Sequence, residues 1–331
     1  MLPPGKIPPE KLREIVFNRL GAPGERVIIK SDLGVDATAI DFGSSVLVAS
    51  TDPITGAEER IGFYAVHINA NDVATFGAKP KWFLVSILLP ENADDALLAK
   101  IMNELHESAS KLGVAIVGGH TEVTPGLHRP IVVGTMLGEV SKEKLVTSNG
   151  AKPGDAIILT KWAGLEGTAI IASERSEELE KAFGKEFVEK AQSLIEMISV
   201  VEDALTANNE VGVNAMHDPT EGGVANGLHE MADAAELGFR VYAEKIPIRK
   251  ETLKICEFYD LNPLALISSG ALMIAAPKEK ADGIISALKG KGINASVIGE
   301  FLEDKDSRVM VENGREKPLE RPESDELWKV V

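Results

Sequence analysis

Five acidic side chains stand at the ends of apolar segments or at helical spacing among apolar residues. They are Asp36, Asp52, Asp72 and Glu122 in the first half of the chain, and Asp218 in the second. A carboxylate among apolar side chains is costly unless it is paired or binds a cation. Oxygen ligands of this kind suit Mg²⁺, which also binds substrate phosphates. The sequence therefore predicts a shared magnesium and phosphate site.

The stretch Gly118-Gly-His-Thr-Glu122 is the second candidate feature. An apolar strand is predicted to end on its two glycines, which let the backbone approach a ligand closely. His120 and Glu122 follow directly, so the stretch can bind phosphate or a metal. An ordinary junction between strand and turn explains the same pattern equally well.

A similar segment lies in the second half, around Asp218. Asp218 is followed by Pro219 and by Glu221, a pattern typical of a helix N-cap with proline at the first helical position. Gly222 and Gly223 disfavour the first helical turn, but they leave room for an anion at its positive end. His120 and His217 each lie in a glycine-rich segment. Each side chain could either transfer a proton during catalysis or form a hydrogen bond within its loop.

The elements that must position these residues can be predicted from hydrophobic periodicity. Two strands, 27–29 and 46–50, each lead to an aspartate, Asp36 and Asp52. A helix over 61–78 places Asn69 and Asp72 on its apolar face. These strands and this helix would bring three carboxylates to one place.

Strands and amphipathic helices alternate through the rest of the chain, which indicates an α/β fold. The best linker is Ser148-Asn-Gly-Ala-Lys-Pro-Gly154. We therefore predict an N-terminal domain over 1–150 and a C-terminal domain over 151–331, each large enough for its own core. The charged region 176–205 is most simply a solvated surface.

Composition limits the possible functions. The chain has 51 acidic and 35 basic residues among 331, so general binding to nucleic acid or to anionic membranes is unfavourable. Its single cysteine, Cys256, excludes an intramolecular disulfide and is best interpreted as a small buried apolar residue. The N-terminus has no signal core, and Lys6 there is either solvated or closes over an anion. We expect a soluble cytoplasmic protein.

Common nucleotide and hydrolase motifs are missing from the sequence. It has no P-loop, no dinucleotide fingerprint after a strand and no Gly-x-Ser-x-Gly elbow. The carboxylates and the two glycine pairs therefore point to a metal and nucleotide enzyme of another kind.

Seven motifs in order carry a resemblance to a known family. They are Gly34-Val-Asp-Ala-Thr-Ala-Ile40, Ser50-Thr-Asp52, Asn71-Asp-Val-Ala-Thr-Phe-Gly-Ala-Lys-Pro80, Gly118-Gly-His-Thr-Glu122, Lys152-Pro-Gly-Asp155, Asp218-Pro-Thr-Glu-Gly-Gly223 and Ser269-Gly270. Over about residues 5–300 the chain resembles the AIR-synthetase-like (PurM-like) ATP-dependent superfamily, and most of all its hydrogenase expression/formation (HypE) branch.

The resemblance implies a two-domain fold, a homodimer and a site for ATP and Mg²⁺ between the domains. The N-terminal αβ domain would close a β-barrel across the dimer, and the C-terminal domain would be an α/β layer. Asp36, Asp52, Asp72 and Glu122 would hold metal and phosphate, with Asp52, Asp72 and His120 as catalytic candidates. The nucleotide site would also include Asp36, Asn71, Gly118, Gly119, Asp218, Gly222 and Gly223.

The implied activity is ATP-dependent phosphorylation of an amide or carbonyl oxygen, linked to hydrogenase maturation and to a maturation partner protein. Proteins of the HypE branch end in a cysteine that carries the carbamoyl group, whereas this sequence ends Leu327-Trp-Lys-Val-Val331. The resemblance therefore does not carry the usual reaction on its own tail over to this chain, and turnover without the terminal cysteine stays open. A small-molecule kinase of the thiamine-monophosphate kinase type and a nucleotide-binding assembly protein without turnover are the alternatives. The sequence does not identify the acceptor substrate.

Overall fold

The computed structural model of the chain describes residues 7, 9–20, 24–30, 32, 35–55 and 59–331. Lys6 and Gly34, which the sequence analysis singled out, lie outside these residues. A short helix, α1 (Pro9–Lys11), continues as a π-helical turn over Leu12–Val16. No helix in the described ranges has both the length and the apolarity needed to cross a membrane.

The first sheet takes its strands from the first half of the chain. Within the described residues it has six strands in the order β1-β2-β3-β6-β4-β5, of which only β4 and β5 pair in parallel. The strands are β1 (Val27–Ile29), β2 (Thr38–Asp41), β3 (Val46–Ile54), β4 (Lys79–Leu89), β5 (Ala115–Val123) and β6 (Ile131–Val140). Strand β6 alternates between buried and half-buried residues, as expected for a sheet with one face covered by helices.

Two helices cover this sheet, α2 (Ile61–Thr75) and α3 (Asp95–Leu112). Helix α3 is amphipathic and well capped: Asp94 Oδ1 accepts the Leu97 N–H at 2.9 Å, and Gly113 ends the helix in the left-handed conformation. Helix α2 is buried on nearly all sides because it packs against the first sheet, α3 and elements of the second half. It ends at Thr75 rather than at the predicted residue 78.

The second sheet belongs to the second half. In the described part of the chain it has seven strands in the order β13-β12-β9-β11-β7-β10-β8. They are β7 (Ala156–Thr160), β8 (Ala215–His217), β9 (Gly238–Tyr242), β10 (Met273–Ala276), β11 (Ala295–Leu302), β12 (Arg308–Glu312) and β13 (Arg315–Pro318). Strand β7 lies between β11 and β10, and all five of its residues are buried.

The described residues of the second half form seven further helices: α4 (Leu165–Glu174), α5 (Ser176–Phe183), α6 (Lys185–Gln192), α7 (Val201–Thr206), α8 (Gly223–Ala235), α9 (Lys250–Tyr259) and α10 (Lys278–Gly290). Helices α8 and α10 pack against the second sheet, α7 packs against α2, and α4, α5, α6 and α9 pack against one another. The region 176–205 is only partly the solvated surface that its charges indicate. Leu194, Ile195 and Ala204 are buried, because α6 ends at Gln192 and the chain then turns toward the protein interior.

The largest hydrophobic core extends across both halves of the chain. It joins Val48 and Phe83 of the first sheet to Ile158 and Ile274 of the second, with α2 between them. One core therefore joins the two halves of the chain, while a second lies wholly within the second half. The mixed α/β fold class is confirmed, whereas the domain boundary at 150/151 and closure of the first sheet into a barrel with a second subunit stay predictions.

Candidate functional site

Four of the five singled-out carboxylates converge where α2 meets the second half of the chain. We call Asp36, Asp52, Asp72 and Asp218 the acidic cluster. Burial raises the pKa of Asp72 well above its ordinary value, and the negative charges of Asp218, Asp52 and Asp36 raise it further. That effect requires these carboxylates to lie within electrostatic reach of Asp72. The cluster thus joins residues that are up to 182 positions apart.

The aspartates do not all lie at strand ends as predicted. Asp52 lies inside β3, which continues to Ile54, and Asp36 lies just before β2, a strand that the sequence analysis did not predict. Asn69 of α2 fixes the backbone of Asp52: its Oδ1 accepts the Asp52 N–H at 2.9 Å, and its Nδ2 donates to the Asp52 carbonyl at 3.3 Å. Helix and strand are therefore locked together at the cluster.

Ser50 is a site residue that sequence reasoning missed. Its hydroxyl lies 2.6 Å from Asp72 Oδ2 and 3.0 Å from the Asp36 carbonyl oxygen, both acceptors. This contact favours the charged form of Asp72 and opposes the rise of its pKa. A signal for it was present, because Ser50 is two residues before Asp52 on one strand and so shares its face.

His217, at the end of β8, connects two carboxylates. Its Nδ1 lies 2.9 Å from Asp36 Oδ2, and its Nε2 lies 3.0 Å from Glu230 Oε2. Burial lowers the pKa of His217, but the carboxylates of Asp36 and Glu230 outweigh burial and raise it well above its ordinary value. Glu230 lies on α8, thirteen residues away, and no local pattern indicated it.

Asn71 lies next to Asp72 but is engaged elsewhere. It is fully buried, its Nδ2 donates to the Ile198 carbonyl at 2.9 Å, and its Oδ1 accepts the Val200 N–H at 2.8 Å. The side chain thus fastens α2 to the segment before α7. Its role in nucleotide binding stays a prediction.

Glu122 lies apart from the acidic cluster within one chain. Strand β5 runs through both glycines, and one row of the sheet joins Asp52, Gly134, Val85 and Gly119 across β3, β6, β4 and β5. Three steps between neighbouring strands amount to about 14 Å. Glu122 instead contacts His120 Nε2 at 3.0 Å and the Thr124 hydroxyl at 2.7 Å, and these two hydrogen bonds lower its pKa.

The close pairing of β5 with β4 explains why a glycine stands at position 119. A Cβ on Gly119 would lie 1.8 Å from the Val85 carbonyl oxygen, so β5 can pair this closely with β4 only with glycine there. Gly118, Gly119, His120 and Glu122 are all exposed on the outermost strand of the sheet. They do not form a closed phosphate loop within one chain.

The segment after Asp218 also differs from its predicted structure. Helix α8 begins at Gly223 and has Gly222 as its N-cap, so the prediction that Asp218 caps this helix is wrong. The Gly222 N–H donates to Asp325 Oδ2 at 2.6 Å, and a Cβ on Gly223 would lie 2.4 Å from the Leu266 carbonyl oxygen. Close packing therefore requires glycine at position 223. Asp218 does not cap the helix and lies in the acidic cluster, near Asp72.

Cys256 is buried on α9, as predicted. Burial raises the pKa of its thiol to about 12, so it is not a reactive thiolate at neutral pH.

Known proteins match both halves of this chain. The model of the AIR synthase related protein N-terminal domain matches residues 34–140, and that of its C-terminal domain matches residues 152–312. A provisionally named hydrogenase expression/formation protein of Methanocaldococcus jannaschii is 31% identical over 89% of this chain and 88% of its own length. Carbamoyl dehydratase HypE of Cupriavidus necator is 32% identical over 81% of this chain and 76% of its own.

Among solved structures, hydrogenase maturation protein HypE in complex with ATP superposes with a TM-score of 0.74 at 26% identity. The match covers 89% of this chain and 90% of that protein. The resemblance found in the sequence is thereby confirmed. The chain belongs to the AIR synthase related family, in the branch of the hydrogenase expression/formation proteins.

Proposed function

We propose that this chain is a cytoplasmic ATP- and Mg²⁺-dependent phosphotransfer enzyme of hydrogenase maturation, which activates an amide or carbonyl oxygen by phosphorylation. The observation that carries the proposal is the acidic cluster, where both halves of the chain bring carboxylates around a buried Asp72. The relative of C. necator is a carbamoyl dehydratase, and a related protein was solved with ATP. A carbamoyl group is therefore the favoured acceptor.

The residues fit a magnesium–nucleotide group. Oxygen ligands from Asp36, Asp52, Asp72 and Asp218 suit Mg²⁺, and a cation among them would relieve the repulsion that raises the pKa of Asp72. When bound, Mg–ATP supplies the phosphoryl group, and the metal neutralises its charge. The chain positions the ligands: Ser50 orients Asp72, Asn69 holds the backbone of Asp52, and His217 holds Asp36.

Glu122 and His120 join this proposal through a second copy of the chain. Strand β5 is one of the two edge strands of its sheet in the described residues, and Val117 and Val123 on it are each 54% exposed. Such an edge favours pairing with another chain. We propose that a homodimer forms there and that Gly118, Gly119, His120 and Glu122 face the site of the partner subunit. A maturation protein would contact the assembled dimer.

The test measures binding and turnover separately. Isothermal titration with ATP, with and without Mg²⁺, should give Mg²⁺-dependent binding that Asp52→Asn and Asp72→Asn each weaken by about tenfold or more. Asp41→Asn is the matched control, because Asp41 pairs with Lys142 at the exposed end of β2. Unchanged affinity in both cluster variants would refute the site.

Turnover is measured as ADP release when primary amides and S-carbamoyl peptides are supplied. ADP release that depends on one of these compounds is the expected result. Tight binding of Mg–ATP with no ADP formed under any of these conditions would support an assembly protein instead.

A further inference from the structure

We propose that His217, Asp36 and Asp218 form a mixed nitrogen and oxygen site that takes a transition-metal ion, such as Mn²⁺, in preference to Mg²⁺. The inference rests on the proposed function in one respect, since the metal would lie at the same acidic cluster. It goes further by naming the class of metal and by adding a nitrogen ligand.

The geometry of the three side chains supports a shared ion. One ligand atom from each of Asp36, His217 and Asp218 lies within 4.8 Å of the other two. With metal–ligand bonds of about 2.1 Å, two ligands of one ion lie at most about 4.2 Å apart. Small side-chain movements therefore bring all three onto one ion.

The position of these residues in the fold favours a preformed site. His217 is the last residue of β8, a strand paired with β10 in the second sheet, and Asp218 follows it directly. Asp36 comes from the first half and already contacts His217. Both residues are buried, with 4% of His217 and 1% of Asp218 exposed. Ligands held on a buried strand lose little freedom when an ion binds.

Glu230 supplies the contact that a metal-binding histidine usually has. A histidine ligand commonly donates its second ring N–H to a carboxylate, which fixes the ring and raises its basicity. Here Nε2 of His217 lies 3.0 Å from Glu230 Oε2, while Nδ1 is directed toward Asp36. Nδ1 is therefore the nitrogen that would coordinate the ion.

The donor set decides the metal. Mg²⁺ prefers oxygen ligands only, whereas first-row transition-metal ions also accept imidazole nitrogen, with an affinity that rises from Mn²⁺ through Fe²⁺, Co²⁺ and Ni²⁺ to Cu²⁺ and falls again at Zn²⁺. Asp52 and Asp72 add only oxygen atoms, so they leave an oxygen-rich position beside the mixed site. His217 is the residue that distinguishes the two positions.

Pulsed electron paramagnetic resonance of Mn²⁺ bound to the full chain tests the proposal without measuring activity. We expect modulation from a directly coordinated nitrogen nucleus in the wild type and its loss in His217→Gln. His106→Gln is the matched control, because it removes an exposed histidine on α3. In Glu230→Gln the nitrogen signal should persist while Mn²⁺ affinity falls by about 10- to 100-fold.

Competition between Mn²⁺ and Mg²⁺ in isothermal titration gives the second measurement. The preference for Mn²⁺ should fall by about tenfold or more in His217→Gln and remain in His106→Gln. Bound Mn²⁺ without nitrogen modulation in the wild type would overturn the proposal, since His217 would then only hydrogen-bond Asp36 and Glu230. Nitrogen-coupled Mn²⁺ in a chain that does not bind ATP would refute the proposed function and leave this inference standing.

Discussion

The Ser50 hydroxyl lies 2.6 Å from the Asp72 carboxylate and donates a hydrogen bond across the junction between β3 and α2. Asp72 is buried, and three other carboxylates disfavour its charged form, whereas Ser50 favours it. One hydroxyl therefore helps to decide how readily Asp72 is available to a cation.

Substitution Ser50→Ala should weaken Mg²⁺-dependent nucleotide binding by about tenfold near neutral pH, since a hydrogen bond to a charged group contributes roughly 1.5 kcal/mol or more. Without the hydroxyl the pKa of Asp72 rises further, so the loss should be larger near pH 6 than near pH 8. Titration calorimetry across this range measures it. Thr51→Ala is the control, because the Thr51 hydroxyl donates to the Gly134 carbonyl instead. Equal losses in both variants would contradict the special role of Ser50.

Substitution Asp72→Asn should stabilise the metal-free protein, and more strongly as the pH rises. The folded-state pKa of Asp72 is raised, so the folded chain keeps a proton that the unfolded chain releases above its ordinary value of 3.8. The wild type therefore loses stability as the pH rises from that value toward the folded-state pKa. The asparagine variant has no such loss.

Thermal unfolding near pH 5 and near pH 8, with and without Mg²⁺, measures this effect. We expect the Tm of the variant to exceed that of the wild type by a larger margin near pH 8. Added Mg²⁺ should raise the Tm of the wild type more than that of the variant. A variant that is less stable at both pH values without metal would refute the argument.

Sequence reasoning found the residues of the acidic cluster because each carries a local signal. Asp72 has helical spacing among apolar residues, and Asp52 follows an apolar run. The link from His217 to Glu230 had no local signal, since it depends on how α8 packs beside β8. Glu122 was grouped with the cluster from its position after an apolar segment and from its motif, because the order of strands in a sheet cannot be read from a short segment.

Substitution Asn71→Ala should destabilise the protein by about 3 kcal/mol. It leaves the Ile198 carbonyl and the Val200 N–H buried without their present partner, and each unsatisfied group costs about 1–3 kcal/mol. Chemical denaturation measures the loss, with the exposed Asn209→Ala as control. Weaker Mg–ATP binding with unchanged stability would show that Asn71 acts on the nucleotide and not as a fastening between α2 and the second half.

Substitution Val117→Lys should shift the protein toward monomer in analytical ultracentrifugation. Val117 is exposed on β5, where a lysine adds charge to an edge that would otherwise pair with a second copy. Met102→Lys on α3 is the control, since Met102 is also exposed but lies on a helix. A wild-type chain that is monomeric at every concentration would refute the proposed dimer and the partner role of Glu122.

Glu166, on the first turn of α4, offers a test of stability away from the acidic cluster. Burial raises its pKa from 4.5 to about 7; Ser269 opposes the rise, while the charges of Asp325 and Glu221 add to it. Its Oε2 atom is buried and has no hydrogen-bond partner within the described residues. The folded chain thus keeps the proton of Glu166 at pH values where the unfolded chain has lost it.

Glu166→Gln should therefore stabilise the protein near pH 8 by on the order of 3 kcal/mol, the equivalent of that pKa difference. Near pH 5 the gain should be small, because the carboxyl group is protonated in the folded chain and partly protonated in the unfolded one. Denaturation at the two pH values measures the difference, with Glu177→Gln on the exposed face of α5 as control. If Glu166→Gln had the same effect at both pH values, burial of the Glu166 carboxyl group would not be what lowers the stability of the wild type near pH 8. An ionised Glu166 would then have to gain as much from its neighbours as it loses through burial.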